Sequence, residues 1–530
     1  MSFSHWTRMY DGVGGEDRQL SPYPDLNADT AGMIRAANPS VRAAAMACWW
    51  HRLVSRPVRW RHRARACYAI HAMKLRPSFA LAFLLAATLW AGNPDFAQQP
   101  DAAIASQPAR PSPEWLKSGT VYQIFVRSFS PTGDLKGVTA RLDDLHALGV
   151  NILWLMPIHP DGQVKKKGSL GSPYSVRDYF AIDPSLGTKD DLRHLVQEAH
   201  NRQMKVIIDV VANHTSWDSV MMAHPEFYKK DKEGHVTYPY DWTDVAALDY
   251  SNPKLRRYMT DMLLYWIREF DLDGYRCDAA AEIPTDFWEQ ARKELEQLKP
   301  EIMLLAEAQK PELLRSAFDI DYAWPLLHTM DDVIMNGASA TAVSATIEQQ
   351  RVLFPKGALH MHVSDDHDEL RATTRYGFPG AIAASALMFT LDGTPLIYNG
   401  MEVGDSTQSR SPALFEPQKI FWGAEEWHPE YLKFYAAMTS LRRGHPALQQ
   451  GEIVWLHNSD EQHVVTYLRR SGTEEFLIAV NLSNTPFRGT LEAAGNWKEI
   501  ELPVSKPEVT AVPFISLNAF EARIFQKQSQ

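Results

Sequence analysis

From residue 114 onward, short runs of β-branched and aromatic residues alternate with stretches of helical period. Residues 121–126 predict a first strand, 138–148 a helix and 152–156 a second strand; a helix through 192–203 then leads to a third strand at 206–211. The helix predicted over 253–270 has the strongest pattern. Leu255, Met259, Met262, Leu263, Trp266, Ile267 and Phe270 fall on one face, Asn252-Pro253 supplies the start signal, and the turn Asp271-Leu272-Asp273-Gly274 closes it. A short buried strand follows and ends on Asp278. Next come a helix at 287–298, strands at 302–306, 320–323, 360–363 and 396–398, and helical stretches around 342–353, 381–391 and 431–442. Strands and helices in strict alternation predict an α/β fold, a (β/α)8 TIM barrel over 114–446 with a short insertion after the third strand at about 215–248. From about Gly451 the period changes to two, as in 464–468 and 476–480, which predicts an antiparallel β-sandwich domain over 447–530.

The amino terminus does not share this pattern. Residues 1–72 lack sustained periodicity, become Arg-rich toward their end, and read as a non-native or disordered extension from an over-extended gene start. Met73-Lys74-Leu75-Arg76 then precedes an apolar run at 79–91, too short to span a bilayer, with small residues Ala91 and Ala97 as cleavage points. That layout predicts a signal peptide over 73–97, a linker over 98–113, and export to the periplasm or the medium. The rival reading is a cytosolic basic arm ahead of a signal-anchor. After cleavage only Cys277 remains, so no disulfide is expected.

Composition narrows the function. With 45% hydrophobic and 11% aromatic residues the chain can bury a large core, and a net charge of -10 excludes nucleic acid as the main partner, because phosphates would be repelled over most of the surface.

The polar residues that stand at strand ends carry the chemistry. Arg276 lies two positions before Asp278, so both side chains leave the strand by one face, and the guanidinium is expected to lower the carboxyl pKa and keep Asp278 ionised as a nucleophile. Glu307 follows the apolar run 302–306; desolvation there is expected to raise its pKa, as a general acid requires. Two such carboxylates on neighbouring strands fit a retaining glycosidase, with Asp368 after the seventh strand placed to hydrogen-bond sugar hydroxyls and favour an oxocarbenium-like transition state. The plain alternatives are a structural Arg–Asp pair, a structural His214, a core Tyr174 and a buried apolar Cys277.

Four stretches, Asp209-Val-Val-Ala-Asn213-His214, Arg276-Cys277-Asp278, Leu305-Ala306-Glu307 and Ser364-Asp365-Asp366-His367-Asp368, together resemble the characteristic regions of the α-amylase superfamily, glycoside hydrolase family 13, over roughly residues 114–525. The resemblance implies Asp278 as nucleophile, Glu307 as general acid/base and Asp368 as transition-state stabiliser. It implies that His214 and His367 bind hydroxyls of the glycone sugar, that Arg276 steadies the nucleophile, that Tyr174 is an aromatic platform, and that Asp209 braces the arginine. It also implies hydrolysis of α-glucosidic, mainly α-1,4, bonds in starch-like glucans or maltooligosaccharides.

Three departures qualify that expectation. Asp366 stands where the family usually has Asn. Ala247 replaces the Asp that, with Asn213, binds structural calcium in many members, so no metal and no cofactor is expected. Ala281-Glu282 replaces a Lys-His pair found in many endo-amylases, which leaves a neopullulanase-like or transglycosylating enzyme open. A non-catalytic, membrane-anchored accessory protein with this fold is the alternative from another class, although all three carboxylates are present. The expected partner is an α-glucan or maltooligosaccharide, with no stable membrane span once the signal is removed.

Overall fold

The computed structural model describes residues 102–407, 409–410, 413–504 and 511–528. The extension over 1–72 and the signal peptide over 73–97 lie outside the described residues. Among those described, no helix is long and apolar enough to cross a membrane.

Eight parallel strands close into a barrel: β1 (Val121–Ile124), β2 (Ile152–Leu155), β3 (Lys205–Val211), β6 (Gly274–Asp278), β7 (Met303–Ala306), β8 (Ile320–Tyr322), β9 (Leu359–His362) and β10 (Thr394–Tyr398), with β10 pairing back onto β1. The barrel strands are buried almost throughout, which is why they read as continuous apolar runs rather than as alternation. Between β3 and β6, β4 (His214–Ser216) and β5 (Val245–Ala247) form an antiparallel ribbon that opens and closes the insertion after β3.

The helix Pro253–Phe270 has the predicted bounds and the expected local causes. The Asn252 side chain accepts from the Lys254 N–H at 2.9 Å, Pro253 occupies the first turn, and Asp271 at φ 55° ends the helix with its N–H on the Ile267 carbonyl. Gly274 then enters β6 because nothing larger fits: a Cβ there would lie 2.0 Å from the Met303 carbonyl oxygen on β7.

Three elements differ from expectation. The helix expected over 138–148 is two pieces, Leu135–Thr139 and Leu142–Leu148. The helix expected at 381–391 begins at Ala372 and is kinked where Gly377 takes φ 71° ahead of Pro379, an interruption that hides its first turns in the sequence pattern. The helix Trp324–Asn336, begun with Pro325 in its first turn and ended by Gly337 at φ 72°, was not expected. The stretch expected as a linker is tied down from Gln107 onward: its carbonyl accepts from Lys356, Ala109 donates to the Lys356 carbonyl, and Arg110 pairs with Asp319 and Glu296.

Beyond the barrel, β11 (Glu452–Trp455), β12 (Val464–Ser471), β13 (Glu474–Asn481), β15 (Trp497–Ile500) and β17 (Ala522–Lys527) form an antiparallel sheet, and β14 (Phe487–Thr490) pairs with β16 (Phe514–Leu517). Period-two alternation gives the larger sheet two buried faces. Tyr467, Phe476, Ile478 and Val480 join the barrel core, while Leu468, Leu477, Ala479 and Phe525 pack with Phe487, Ile515 and Leu517.

Candidate active site

Strand register assembles the site. Asp209 on β3 is paired with Arg276 on β6, and Arg276 with Leu305 on β7, two residues before Glu307. The fully buried Arg276 guanidinium therefore lies among carboxylates from three adjacent strands. Its Nη1 donates to Asp209 (3.0 and 3.2 Å) and to Asp278 Oδ1 (3.0 Å), and Nη2 lies 2.7 Å from Glu307 Oε1 as an ion pair off hydrogen-bond alignment. Asp278 and Glu307 thus touch the two terminal nitrogens of one planar group, which brings both carboxyls to the same small space at the carboxyl ends of the strands.

Local backbone completes the arrangement. Directly after Asp278, Ala279 adopts φ 44°, a conformation L side chains resist, and this turns its N–H onto Glu307 Oε2 at 2.8 Å. Tyr174 donates its hydroxyl to Asp209 Oδ2 at 3.0 Å and stacks on His367 with ring centroids 5.3 Å apart. One face of the expected platform is thereby covered. His214, on β4, packs edge-on against Trp242 at 5.5 Å, and burial pushes its pKa down to about 4, so the imidazole is neutral.

Arg276 does lower the pKa of Asp278, but the expected net lowering is overturned because burial outweighs the guanidinium. Burial raises it; Arg276 opposes this, but Asp209 and Asp368 add to it, and the carboxyl is pushed up to about 6. Glu307 is also raised by burial, against the Arg276 charge and with Asp278 and Asp368 reinforcing the rise. Asp368 differs: burial raises its pKa, but His367, 3.1 Å away, and the Arg276 charge hold it below the ordinary value. Three carboxyls that look alike in sequence therefore hold their protons differently.

His367 explains part of that separation. Burial lowers its pKa, yet Asp368 and Asp366 raise it to about 9, so both ring nitrogens carry protons. Nε2 faces Tyr174 Oη (2.7 Å) and Asp368, while Nδ1 faces the Gln123 amide at 2.7 Å. A donating Nδ1 selects the orientation of Gln123 that presents Oε1, and the same orientation gives that buried oxygen a partner it otherwise lacks.

All seven expected residues, Asp278, Glu307, Asp368, Tyr174, His214, Arg276 and His367, thus stand at strand ends or on adjoining loops on one side of the barrel. Sequence reasoning missed Gln123, Trp154 and Tyr322. Trp154 donates to Asp209 Oδ2 at 3.3 Å, and Arg276 Nε donates to Tyr322 Oη at 3.3 Å. Gln123 had a signal, as the lone amide inside the apolar run Val121-Tyr-Gln-Ile-Phe-Val126. Where no calcium is expected, Asn213 gives its carbonyl to the Leu248 N–H, and Ala247, paired with His214, has no side-chain oxygen.

A family model described as the α-amylase catalytic domain matches residues 123–244 and 231–420. A cyclomaltodextrinase from Geobacillus thermopakistaniensis is 28% identical over 449 residues, covering 73% of each chain. An intracellular maltogenic amylase from Bacillus subtilis is 28% identical over 425 residues, covering 70% of each. Among solved structures, a maltogenic α-amylase from Thermotoga neapolitana superposes with a TM-score of 0.72 at 30% identity, covering 78% of this chain and all of that one.

Proposed function

This chain belongs to the α-amylase family and is a glycosidic-bond hydrolase acting on α-glucans; from that premise we propose that it cleaves α-1,4 bonds of maltooligosaccharides and starch-like glucans by double displacement, with retention. The observation that carries the mechanism is the sharing of one guanidinium by Asp278 and Glu307. An ionised Asp278 oxygen attacks the anomeric carbon while Glu307 gives its proton to the departing glycosidic oxygen. Water then enters, Glu307 takes its proton, and the glycosyl–Asp278 ester is released as the sugar. Asp368, kept anionic beside His367, faces the cationic ring of both transition states, and His214 and His367 hydrogen-bond its hydroxyls. Arg276 is a positioning residue, holding the acid and the nucleophile at once while Asp209 holds it.

Short substrates are favoured over long polymer. Ala281-Glu282 stands where many endo-amylases have Lys-His, and relatives are named cyclomaltodextrinase and maltogenic amylase. Bond-type breadth of the neopullulanase kind, and transfer to sugar acceptors, use the same three carboxyls. With those carboxyls gathered at one end of the barrel, catalysis fits better than a non-catalytic accessory role.

The full chain, incubated with maltotriose, a cyclomaltodextrin, pullulan and starch, is expected to act fastest on the first two and to release α-anomeric product, read by NMR before mutarotation. A β-anomeric first product refutes double displacement. No calcium requirement is proposed, because Ala247 carries no carboxylate, so a chelator is expected to leave the rate unchanged; loss of activity restored by calcium would overturn this. Export through the segment beginning at Met73 is proposed from its basic and apolar pattern, with amino-terminal sequencing of exported protein expected to begin after Ala91 or Ala97. Retention of the whole chain inside cells would contradict it.

A further inference from the structure

Asp366 occupies a position where the mechanism above needs no carboxylate. Its side chain is 1% exposed, and Oδ1 accepts the N–H groups of Asp368 (2.9 Å) and Glu369 (3.0 Å), which folds residues 366–369 into a turn. That turn leaves the Asp368 side chain half exposed, and His367 Nε2 meets it at 3.1 Å. The second oxygen, Oδ2, is buried with no hydrogen-bond partner. An amide in this place would cap the same two N–H groups without ever carrying charge.

We propose that Asp366 is a positioning residue for Asp368: its buried carboxyl holds the turn that aims Asp368 at the sugar, and its ionisation sets an unpartnered charge beside Asp368, giving the enzyme an alkaline limit of its own. The proposal rests on the reading of Asp368 given above. A charged oxygen without a donor, closed off from water, costs far more than a neutral one. The groups that face Asp366 do little to relieve it. On its own loop these are the cation His367, with Asp368 and Glu369, both acidic; β8 contributes Tyr322 and β10 Tyr398. Burial, opposed by His367 and by the Asp368 N–H and reinforced by the Asp368 and Glu369 charges, pushes the Asp366 carboxyl up to about 7. Its proton therefore leaves near neutrality and places a second negative charge beside Asp368.

The test compares full-length parent, Asp366→Asn and Asp366→Ala by kcat and KM on maltotriose from acid to alkaline pH, with thermal unfolding across the same range. The Asn variant retains both backbone caps. It is expected to match the parent at acid pH, to lose activity on the alkaline side through a single ionisation where the parent loses two, and to exceed the parent by about tenfold a pH unit past the crossover. The Ala variant lacks the caps and is expected to lose about ten- to a hundredfold in kcat at every pH, with KM changed by less than about twofold. Identical pH profiles for parent and Asn variant, or equal kcat for Asn and Ala variants, would overturn the proposal.

Unfolding supplies a readout that does not depend on catalysis. A carboxyl whose folded pKa is raised destabilises progressively as pH climbs from its ordinary 3.8 toward about 7, so the parent should fall behind the Asn variant over that interval and hold a constant deficit above it. Should the parent hydrolyse no α-glucan, the functional reading falls, and this deficit still decides whether Asp366 ionises in place; its absence rejects the ionisation. Should the Ala variant not fold, the Asn comparison decides alone.

Discussion

Asp278→Asn is expected to lower kcat on maltotriose by about 10^4-fold or more, with the fold intact. The amide retains the volume and can still accept from Arg276 Nη1 through its oxygen, but it cannot form the glycosyl ester that divides the reaction into two steps. Circular dichroism and thermal unfolding should match the parent, which separates lost chemistry from lost structure; parental activity in this variant would remove Asp278 as the nucleophile. The parent itself should show the same group in its pH dependence. Asp278 must be ionised to attack, and burial places its carboxyl near 6 rather than at its ordinary 3.8, so kcat/KM should fall as pH drops through about 6. An acid limb that begins only near 4 would mean that the guanidinium outweighs burial after all.

Arg276→Met is expected to cost about 3–5 kcal/mol of stability, the range for removing one partner from a buried charge network. Methionine fills most of the space, but Asp209, Asp278 and Glu307 lose the cation they share, and Tyr322 Oη loses a donor. The sign of the pH dependence follows from linkage. The three carboxyls already hold protons more tightly folded than unfolded, so stability falls as pH rises from their ordinary values toward their raised ones. Without the guanidinium those raised values move higher still and the interval widens, so the variant should be least stable relative to the parent at neutral pH and nearly level with it in mild acid. Urea unfolding at several pH values measures this. A variant with parental stability at neutral pH would show that the carboxyls solvate themselves without Arg276. Activity should be lost in either case, because the acid and the nucleophile are no longer held by one group.

The residues also show which features were legible in advance. The helix Pro253–Phe270 carried its cap, its apolar stripe and its stop within its own sequence, and its bounds agree to the residue. The kinked helix Ala372–Thr390 carried Gly377 and Pro379, which read as an interruption, whereas the helix Trp324–Asn336 has Pro325 and Gly337 only at its two ends, where they start and stop it. Cys277, read as a small buried residue on the face opposite Asp278, is fully buried. The stretch 107–113 looked like a polar tether, yet its backbone groups and Arg110 find partners on the barrel that no local pattern announces.

From the sequence alone came the alternation that makes a barrel, the change of period that adds an antiparallel sheet, and the acidic residues at the strand ends, because periodicity and motif order are properties of neighbours along the chain. Tertiary structure alone decided that one arginine serves three carboxylates, that Gln123, Trp154 and Tyr322 stand against the site, and that Asp278 holds its proton more tightly than an Arg two residues away would suggest. Burial and Coulomb energy depend on what lies within a few ångströms, and for Asp278 those neighbours include Asp209 and Asp368, far from it in sequence and close to it only once the barrel has closed.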